Sequence, residues 1–164
     1  MMKMRYLGMA AVVAIVLATA FMLTGKKSAP DVSFTTMEGQ NSALQSLRGQ
    51  VVLVNFWATS CSGCMQEMPD LIKLQKEYGP KGYRTLAIAM SYDIPEYIQN
   101  YRSQTDLPFI VSHDKDGSLA KAFGDVALTP TSFLLDKNGK IIKQYVGIPD
   151  MAELNRLITD ALNG

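Results

Sequence analysis

The sequence contains few of the residues that build metal sites. Its 164 residues include only two cysteines, Cys61 and Cys64, and one histidine, His113. A structural zinc site needs four protein ligands, and these two cysteines supply half of them. Because there is no second cysteine pair and His113 lies far along the chain, a structural zinc site is disfavoured.

Basic residues are not in excess beyond the N-terminal region. Four of the 16 Lys and Arg residues precede residue 28, whereas no acidic residue precedes Asp31. The remaining 12 basic and 15 acidic side chains give residues 28–164 a net charge of −3. A nucleic-acid-binding surface usually requires a basic stripe, so we exclude nucleic acid as a partner.

Charge is absent from residues 7–24, LGMAAVVAIVLATAFMLT. As a helix this segment would rise about 27 Å, close to the thickness of the hydrocarbon core of a bilayer. We expect an uncleaved membrane anchor, and disfavour a buried helix of a globular domain because the segment is apolar on every face. The alternative is a signal peptide cleaved after Ala18–Ala20, although apolar residues continue past that site.

The chain is accordingly divided into an N-terminal membrane helix at residues 1–24, a linker at residues 25–30 and a folded domain at residues 31–164. The short tail before the helix favours export of the domain. We expect a single-pass protein of the bacterial inner membrane whose domain faces the periplasm, or a soluble periplasmic protein if the signal is cleaved. Disulfides persist in that compartment.

Segments typical of strands and helices alternate along the domain. Residues 51–57 and 83–91 are apolar almost throughout, as are strands that are covered on both faces. The pair Asn138–Gly139, between two further strand-like segments, predicts an antiparallel hairpin. The expected fold class is α/β, with a mixed central sheet and helices on both faces.

Three helices have recognisable starts. One is predicted from about Ser60 and contains Pro69, which removes a backbone hydrogen bond. A second is predicted to have Asp93 as its N-cap and Pro95 in its first turn. The last is predicted to be capped by Asp150.

Cys61 and Cys64 fall where the strand at residues 51–57 gives way to the first of these helices. A structural disulfide across so short a loop would constrain the unfolded chain very little. At a helix start, unpaired N–H groups and the helix dipole stabilise an anion, and thiols there have pKa values lowered from about 8.5 to roughly 3.5–7.5. We therefore predict that Cys61 attacks a disulfide and that Cys64, one turn along, resolves the product.

Three segments, VVLVNFWATSCSGC, MQEMP and TPTSFLLDKNGKII, together resemble the thioredoxin fold, and more narrowly the TlpA/ResA-type membrane-anchored thiol–disulfide oxidoreductases of bacterial cell envelopes. The resemblance covers about residues 31–160. It implies a redox-active Cys61–Cys64 disulfide with no other cofactor, protein thiol or disulfide substrates, and a membrane electron donor or acceptor. The resemblance to the members of this family that act as reductants implies that the substrates are oxidised envelope proteins, including apocytochromes in cytochrome c maturation.

The resemblance also assigns roles to other residues by position. Pro130 matches the proline that follows a cis peptide bond beside the cysteine pair, and with Thr129 it is expected to bind an extended substrate segment. Glu67 matches the acidic residue of the family's ExP motif, where a carboxylate would raise the pKa of Cys64 and accept or donate a proton. The alternative for Glu67 is a solvated surface residue.

Two further positions are expected to support the active site. Asn55 stands where plain thioredoxin has a buried aspartate, which makes Glu67 the better candidate for proton transfer. Trp57 matches the family's packing tryptophan. Ser60 and Gly63 depart from the family, which usually has Trp and Pro there, and both changes are expected to alter the redox potential and the choice of partner.

Two other activities are alternatives to this interpretation. A Cu(I)-binding metallochaperone would use the two sulfurs with Met65 or Met68, because soft ligands suit Cu(I). Methionines at helical spacing more often pack in a core, however. A peroxidase of the same broad fold would need proline and threonine where Val54 and Ala58 stand, so it is disfavoured.

Overall fold

The computed structural model describes residues 27–164 of the chain. The predicted membrane helix, with its alternative cleavage site at Ala18–Ala20, lies outside the described residues and stays a prediction. Within residues 27–164, no helix is both long and apolar enough to cross a bilayer.

Seven strands and four α-helices make up this described part. The strands are β1 (Ser33–Thr35), β2 (Asn41–Ala43), β3 (Val51–Trp57), β4 (Tyr83–Ala89), β5 (Ile110–His113), β6 (Thr131–Leu135) and β7 (Ile141–Val146). The helices are α1 (Ser62–Tyr78), α2 (Pro95–Thr105), α3 (Ser118–Ala122) and α4 (Met151–Asn163). Short 3₁₀ turns cover Leu44–Leu47 and Gly79–Lys81.

Five of the strands form a mixed central sheet in the order β5-β4-β3-β6-β7. Strands β3, β4 and β5 are parallel, whereas β6 is antiparallel to both β3 and β7. Strands β1 and β2 form a separate antiparallel pair. The predicted mixed sheet is therefore confirmed, and so is the hairpin, because β6 and β7 are joined through Asn138–Gly139.

Strand β3 lies in the middle of the sheet, and all seven of its residues are buried. Its alternate side chains contribute to two hydrophobic clusters, one on each face. One cluster contains residues of α1, α2 and α4, and the other contains residues of α3 and β1. The continuous apolar run predicted this double coverage, and helices do occupy both faces.

The cysteines lie just beyond the carboxyl end of the central strand β3. Phe56, near the carboxyl end of β3, pairs with Thr131 at the start of β6. Helix α1 begins just beyond that end, with Cys61 as its N-cap. The segment that follows β3 and the segment that precedes β6 therefore lie at the same end of the sheet.

All three helices begin within two residues of their predicted starts, but one predicted cap is wrong. Helix α1 begins at Ser62 and continues through Pro69, and the Asp150 carboxylate accepts a hydrogen bond from the Glu153 N–H (2.9 Å) at the start of α4. The predicted cap of α2 is wrong, because Ile94 is the N-cap and no side chain caps that helix. Asp93 instead binds the backbone and hydroxyl of Thr59.

The last residues of the predicted linker contact the opposite end of the sheet, at the turn between β6 and β7. The Ala29 N–H donates to the Gly139 carbonyl oxygen (2.9 Å), and the Ile141 N–H donates to the Lys27 carbonyl oxygen (2.8 Å). These bonds attach the start of the described chain to the β6–β7 turn. The domain is therefore entered at the end of the sheet that is remote from the cysteines.

Candidate active site

Cys61 and Cys64 form a disulfide at the N-terminus of α1, with their Cα atoms 5.2 Å apart. Cys61 is half-buried, whereas Cys64 is fully buried. The Cys64 backbone N–H also donates to the Cys61 sulfur (3.1 Å). The outer sulfur is thus the one that a partner molecule can reach, and a helix N-terminal N–H is in place to stabilise negative charge on it.

The turn before Cys61 is held by hydrogen bonds from two directions. Within the turn, the Cys61 N–H donates to the Ala58 carbonyl oxygen (3.1 Å). From the segment that follows the neighbouring strand β4, the Asp93 carboxylate accepts from the Thr59 N–H (2.7 Å) and from the Thr59 hydroxyl (2.5 Å). The position of Cys61 therefore depends on a residue outside the cysteine motif.

Pro130 lies against the cysteine motif at Gly63. The Thr129–Pro130 peptide bond is cis, as the family resemblance implied. A Cβ atom placed on Gly63 would lie 3.3 Å from Pro130 Cδ and 3.8 Å from the side chain of Ile148. Glycine at position 63 therefore allows a close approach of these two side chains to the turn that carries the disulfide.

Glu67 is inside the protein, with only 1% of its surface exposed. The Asn55 side-chain amide donates to Glu67 Oε1 (2.7 Å), whereas Oε2 has no partner among the described residues. Burial raises the pKa of the Glu67 carboxyl from 4.5 to about 7, although the hydrogen bond from Asn55 acts in the opposite direction. The surface alternative for Glu67 is therefore wrong, and this carboxyl group exchanges its proton near neutral pH.

Asn55 connects Glu67 to strand β6. Its amide donates a second hydrogen bond to the Ser132 hydroxyl (2.9 Å), and the two residues are direct cross-strand partners. All three side chains are buried. This polar group spans the interior between α1 and the strand that follows Pro130, so it links the helix of the cysteines to the predicted substrate-binding turn.

Trp57 is fully buried at the carboxyl end of β3. Its ring lies 5.6 Å from the ring of Tyr101 on α2. The Trp57 carbonyl oxygen accepts from the Met90 N–H (2.9 Å), which extends the β3–β4 pairing past Ala89. Trp57 therefore packs beneath the active-site turn, the position that a supporting role requires.

Three contacts near the disulfide were not predicted from the sequence: Ser132 with Asn55, Asp93 with Thr59, and Tyr92 with Thr129. A hydroxyl residue inside the apolar segment TSFLL was a usable signal for Ser132, because a buried hydroxyl needs a partner. The other two contacts join segments distant in sequence, and no local pattern indicates them.

The residues proposed for Cu(I) binding differ in accessibility. Met68 is fully buried in the cluster that contains Cys64, and Met65 packs partly against the same cluster. Across residues 27–164, no group of three or more His, Cys, Asp or Glu side chains is arranged to hold a metal ion. The core-packing interpretation of both methionines therefore fits their surroundings.

Comparison with known proteins gives consistent results. The Redoxin family matches residues 24–158. The thiol-disulfide oxidoreductase ResA of Bacillus thuringiensis subsp. konkukian is 40% identical over 122 residues, which cover 74% of this chain and 69% of that protein. The thioredoxin-like protein YneN of Bacillus subtilis is 37% identical over 134 residues, covering 79% and 76%.

A solved structure shows the same architecture. The thiol:disulfide interchange protein of the thioredoxin family from Chlorobium tepidum TLS superposes with a TM-score of 0.77 at 29% identity, covering 85% of this chain and 98% of that one. The fold and the sequence similarity therefore indicate the same family. The chain therefore belongs to the Redoxin family, as a TlpA/ResA-type thioredoxin-like thiol–disulfide oxidoreductase.

Proposed function

We propose that this oxidoreductase works as a reductant of disulfides in exported proteins. Two observations carry the proposal. The unequal exposure of the two cysteines, with Cys61 accessible and Cys64 fully buried, supports disulfide exchange through Cys61. The buried Glu67 carboxyl, one helical turn from Cys64, supports the reducing direction. An accessible sulfur at a helix N-terminus suits attack on a large substrate. A buried partner sulfur suits an intramolecular second step, because it is protected from competing thiols.

The reaction starts from the reduced pair. The Cys61 thiolate attacks one sulfur of the substrate disulfide, the substrate S–S bond breaks, and a Cys61–substrate disulfide forms. The displaced substrate thiolate takes a proton. Cys64 then loses its proton and attacks the Cys61 sulfur, which releases the second substrate thiol. Two electrons pass from the enzyme dithiol to the substrate, and the Cys61–Cys64 disulfide is the product.

Glu67 is the proposed acceptor for the Cys64 proton. It lies three residues after Cys64 on α1, hence on nearly the same face of the helix. Its pKa of about 7 allows it to take a proton in one step and return it in another. When ionised, a buried carboxylate also disfavours a thiolate nearby, which weakens the reduced form and supports the reductant direction.

Thr129 and Pro130 are the proposed substrate-binding residues. Both residues directly precede β6. The Pro130 carbonyl oxygen accepts a hydrogen bond from the Gly147 N–H (2.8 Å). An extended peptide running beside Thr129 would bring its cysteine to Cys61, because Pro130 lies against the cysteine turn. Oxidised envelope proteins, including apocytochromes, are the proposed substrates, and a membrane electron carrier re-reduces the disulfide.

The proposed location follows from the N-terminal sequence. The uncharged run at residues 7–24 supports a single-pass anchor in the bacterial inner membrane, with the domain in the periplasm. Fractionation of cells that express the full-length chain, followed by alkaline extraction of the membranes, tests this. Release of the protein by alkaline extraction would contradict anchoring.

The direction of electron flow is tested by equilibrating the protein with glutathione. A reductant has a Cys61–Cys64 potential below that of the glutathione couple, so the disulfide persists at millimolar concentrations of reduced glutathione. An equilibrium that keeps the pair reduced under those conditions would identify an oxidant instead. The Cys61→Ala variant, which cannot form the pair, serves as the control.

A further inference from the structure

The loop between β4 and α2 contacts both active-site turns. Asp93 holds the turn before Cys61 through its two bonds to Thr59. The same carboxylate also accepts from the Ile94 N–H (2.9 Å), so this buried group has three donors around it. Three donors offset the cost of burying a carboxylate, which makes the loop a fixed part of the site.

The residue before Asp93 contacts the other turn. The Tyr92 and Thr129 hydroxyl groups share a hydrogen bond of 3.2 Å. Thr129 is one residue before Pro130, whose ring packs against the cysteine turn at Gly63. The Tyr92 side chain thus lies beside the segment along which a substrate peptide would run.

The side chains around this segment are apolar and accessible. Tyr92 is 58% exposed, Leu128 is 65% exposed and Ile148 is 44% exposed. They come from three different loops, and each is adjacent in sequence or in space to Thr129, Pro130 or Gly63. Exposed apolar side chains grouped at a reactive disulfide favour a partner that covers them with apolar groups of its own.

We infer that Tyr92 is a specificity-determining residue, whose ring contacts the substrate beside Thr129 and favours polypeptide segments with an apolar side chain next to the attacked cysteine. This inference rests on the proposed reduction of protein disulfides. Asp93 is the positioning residue that holds the Tyr92 loop and the Cys61 turn together. The hydroxyl of Tyr92 orients the ring, and the ring itself supplies the contact.

The test compares the full-length wild type with Tyr92→Ala, Tyr92→Phe and Tyr97→Ala. Two peptide disulfides are used, identical except for leucine or serine next to the cysteine, together with glutathione disulfide. Tyr97 is the matched control, because it is 57% exposed on α2 and its side chain makes no hydrogen bond to a described residue. The values of kcat and KM are measured for each pair.

The wild type and Tyr97→Ala should have a higher kcat/KM for the leucine peptide than for the serine peptide. In Tyr92→Ala the ratio of these two kcat/KM values should fall about tenfold, because KM for the leucine peptide rises while kcat is unchanged. Tyr92→Phe should keep most of it, because the ring remains. An unchanged preference in Tyr92→Ala would overturn the inference, and so would an equal loss on all three substrates. Failure of the wild type to reduce any of the three would instead reject the proposed function.

Discussion

The Asn55 side-chain amide donates a 2.7 Å hydrogen bond to the Glu67 carboxyl group in the interior, one helical turn from Cys64. This contact gives the buried carboxyl a neutral partner that cannot take its proton. Because burial is the larger effect, the pKa of Glu67 is raised to about 7. The interior of the domain therefore contains a group that changes charge in the pH range where thiol exchange is usually measured.

Substitution of the two cysteines should separate their roles. Cys61→Ala should lower the rate of disulfide exchange by at least about a thousandfold, because the accessible sulfur is removed. Cys64→Ala should still attack but should accumulate a mixed disulfide with the substrate. Mass spectrometry of the intact protein detects this adduct. Full exchange activity in Cys61→Ala would show that another group does the chemistry.

Glu67→Gln should alter the pH dependence of the exchange reaction. On the proposed mechanism, the ionised carboxylate accepts the Cys64 proton, so the rate of the resolving step in the wild type should rise as the pH increases through about 7. Glutamine accepts the hydrogen bond from Asn55 but cannot take the proton, and the inflection near pH 7 should disappear. Stopped-flow measurement of the resolving step across the pH range provides the comparison. Superimposable profiles would exclude Glu67 as the acceptor.

The same substitution should change how stability depends on pH. Between pH 4.5 and about 7, folded Glu67 holds a proton that the unfolded chain has released. The free energy of unfolding should therefore fall as the pH rises through this window, by up to about 3 kcal/mol, and remain level above it. Urea unfolding of the oxidised wild type at about pH 5 and about pH 8 measures the fall. Glu67→Gln is expected to lack it.

Asp93→Ala should weaken both the fold and the active site. The substitution leaves the partly buried Thr59 N–H without its acceptor, which costs about 1–3 kcal/mol. It also frees the turn that positions Cys61, so kcat for disulfide exchange should fall. Asp93→Asn keeps one acceptor oxygen and should lose less. Glu96→Ala, an exposed residue on α2, is the control, and equal effects in both alanine variants would contradict the assigned role.

Local sequence patterns were sufficient for the elements of the fold. The apolar run of β3, the Asn138–Gly139 turn and the Asp150 cap each depend on residues that are close in sequence. The position of Cys61 at the start of α1 follows from the same kind of pattern, because strand and helix signals meet there. These features could be predicted because the interactions that produce them are short in range.

The parts that could not be predicted depend on contacts between distant segments. Asp93 has the sequence context of a helix cap, yet Thr59, 34 residues earlier, supplies better donors for its carboxylate. The family resemblance placed Glu67 near Cys64, but its position on an amphipathic helix did not indicate that it is buried. Its burial depends on Asn55 and Ser132, which the sheet register places beneath α1. Helical spacing alone gives no information on that register.

Lys27 and Ala29 attach the start of the described chain to the β6–β7 turn, and on the proposed anchoring this attachment would orient the domain relative to the membrane. Strand β3 has seven residues and separates that turn from the disulfide by about 20 Å. On the proposed anchoring, the tether would leave from the underside of the domain, and the sulfurs would point into the compartment. A large folded client could then approach Cys61 without colliding with the lipid surface.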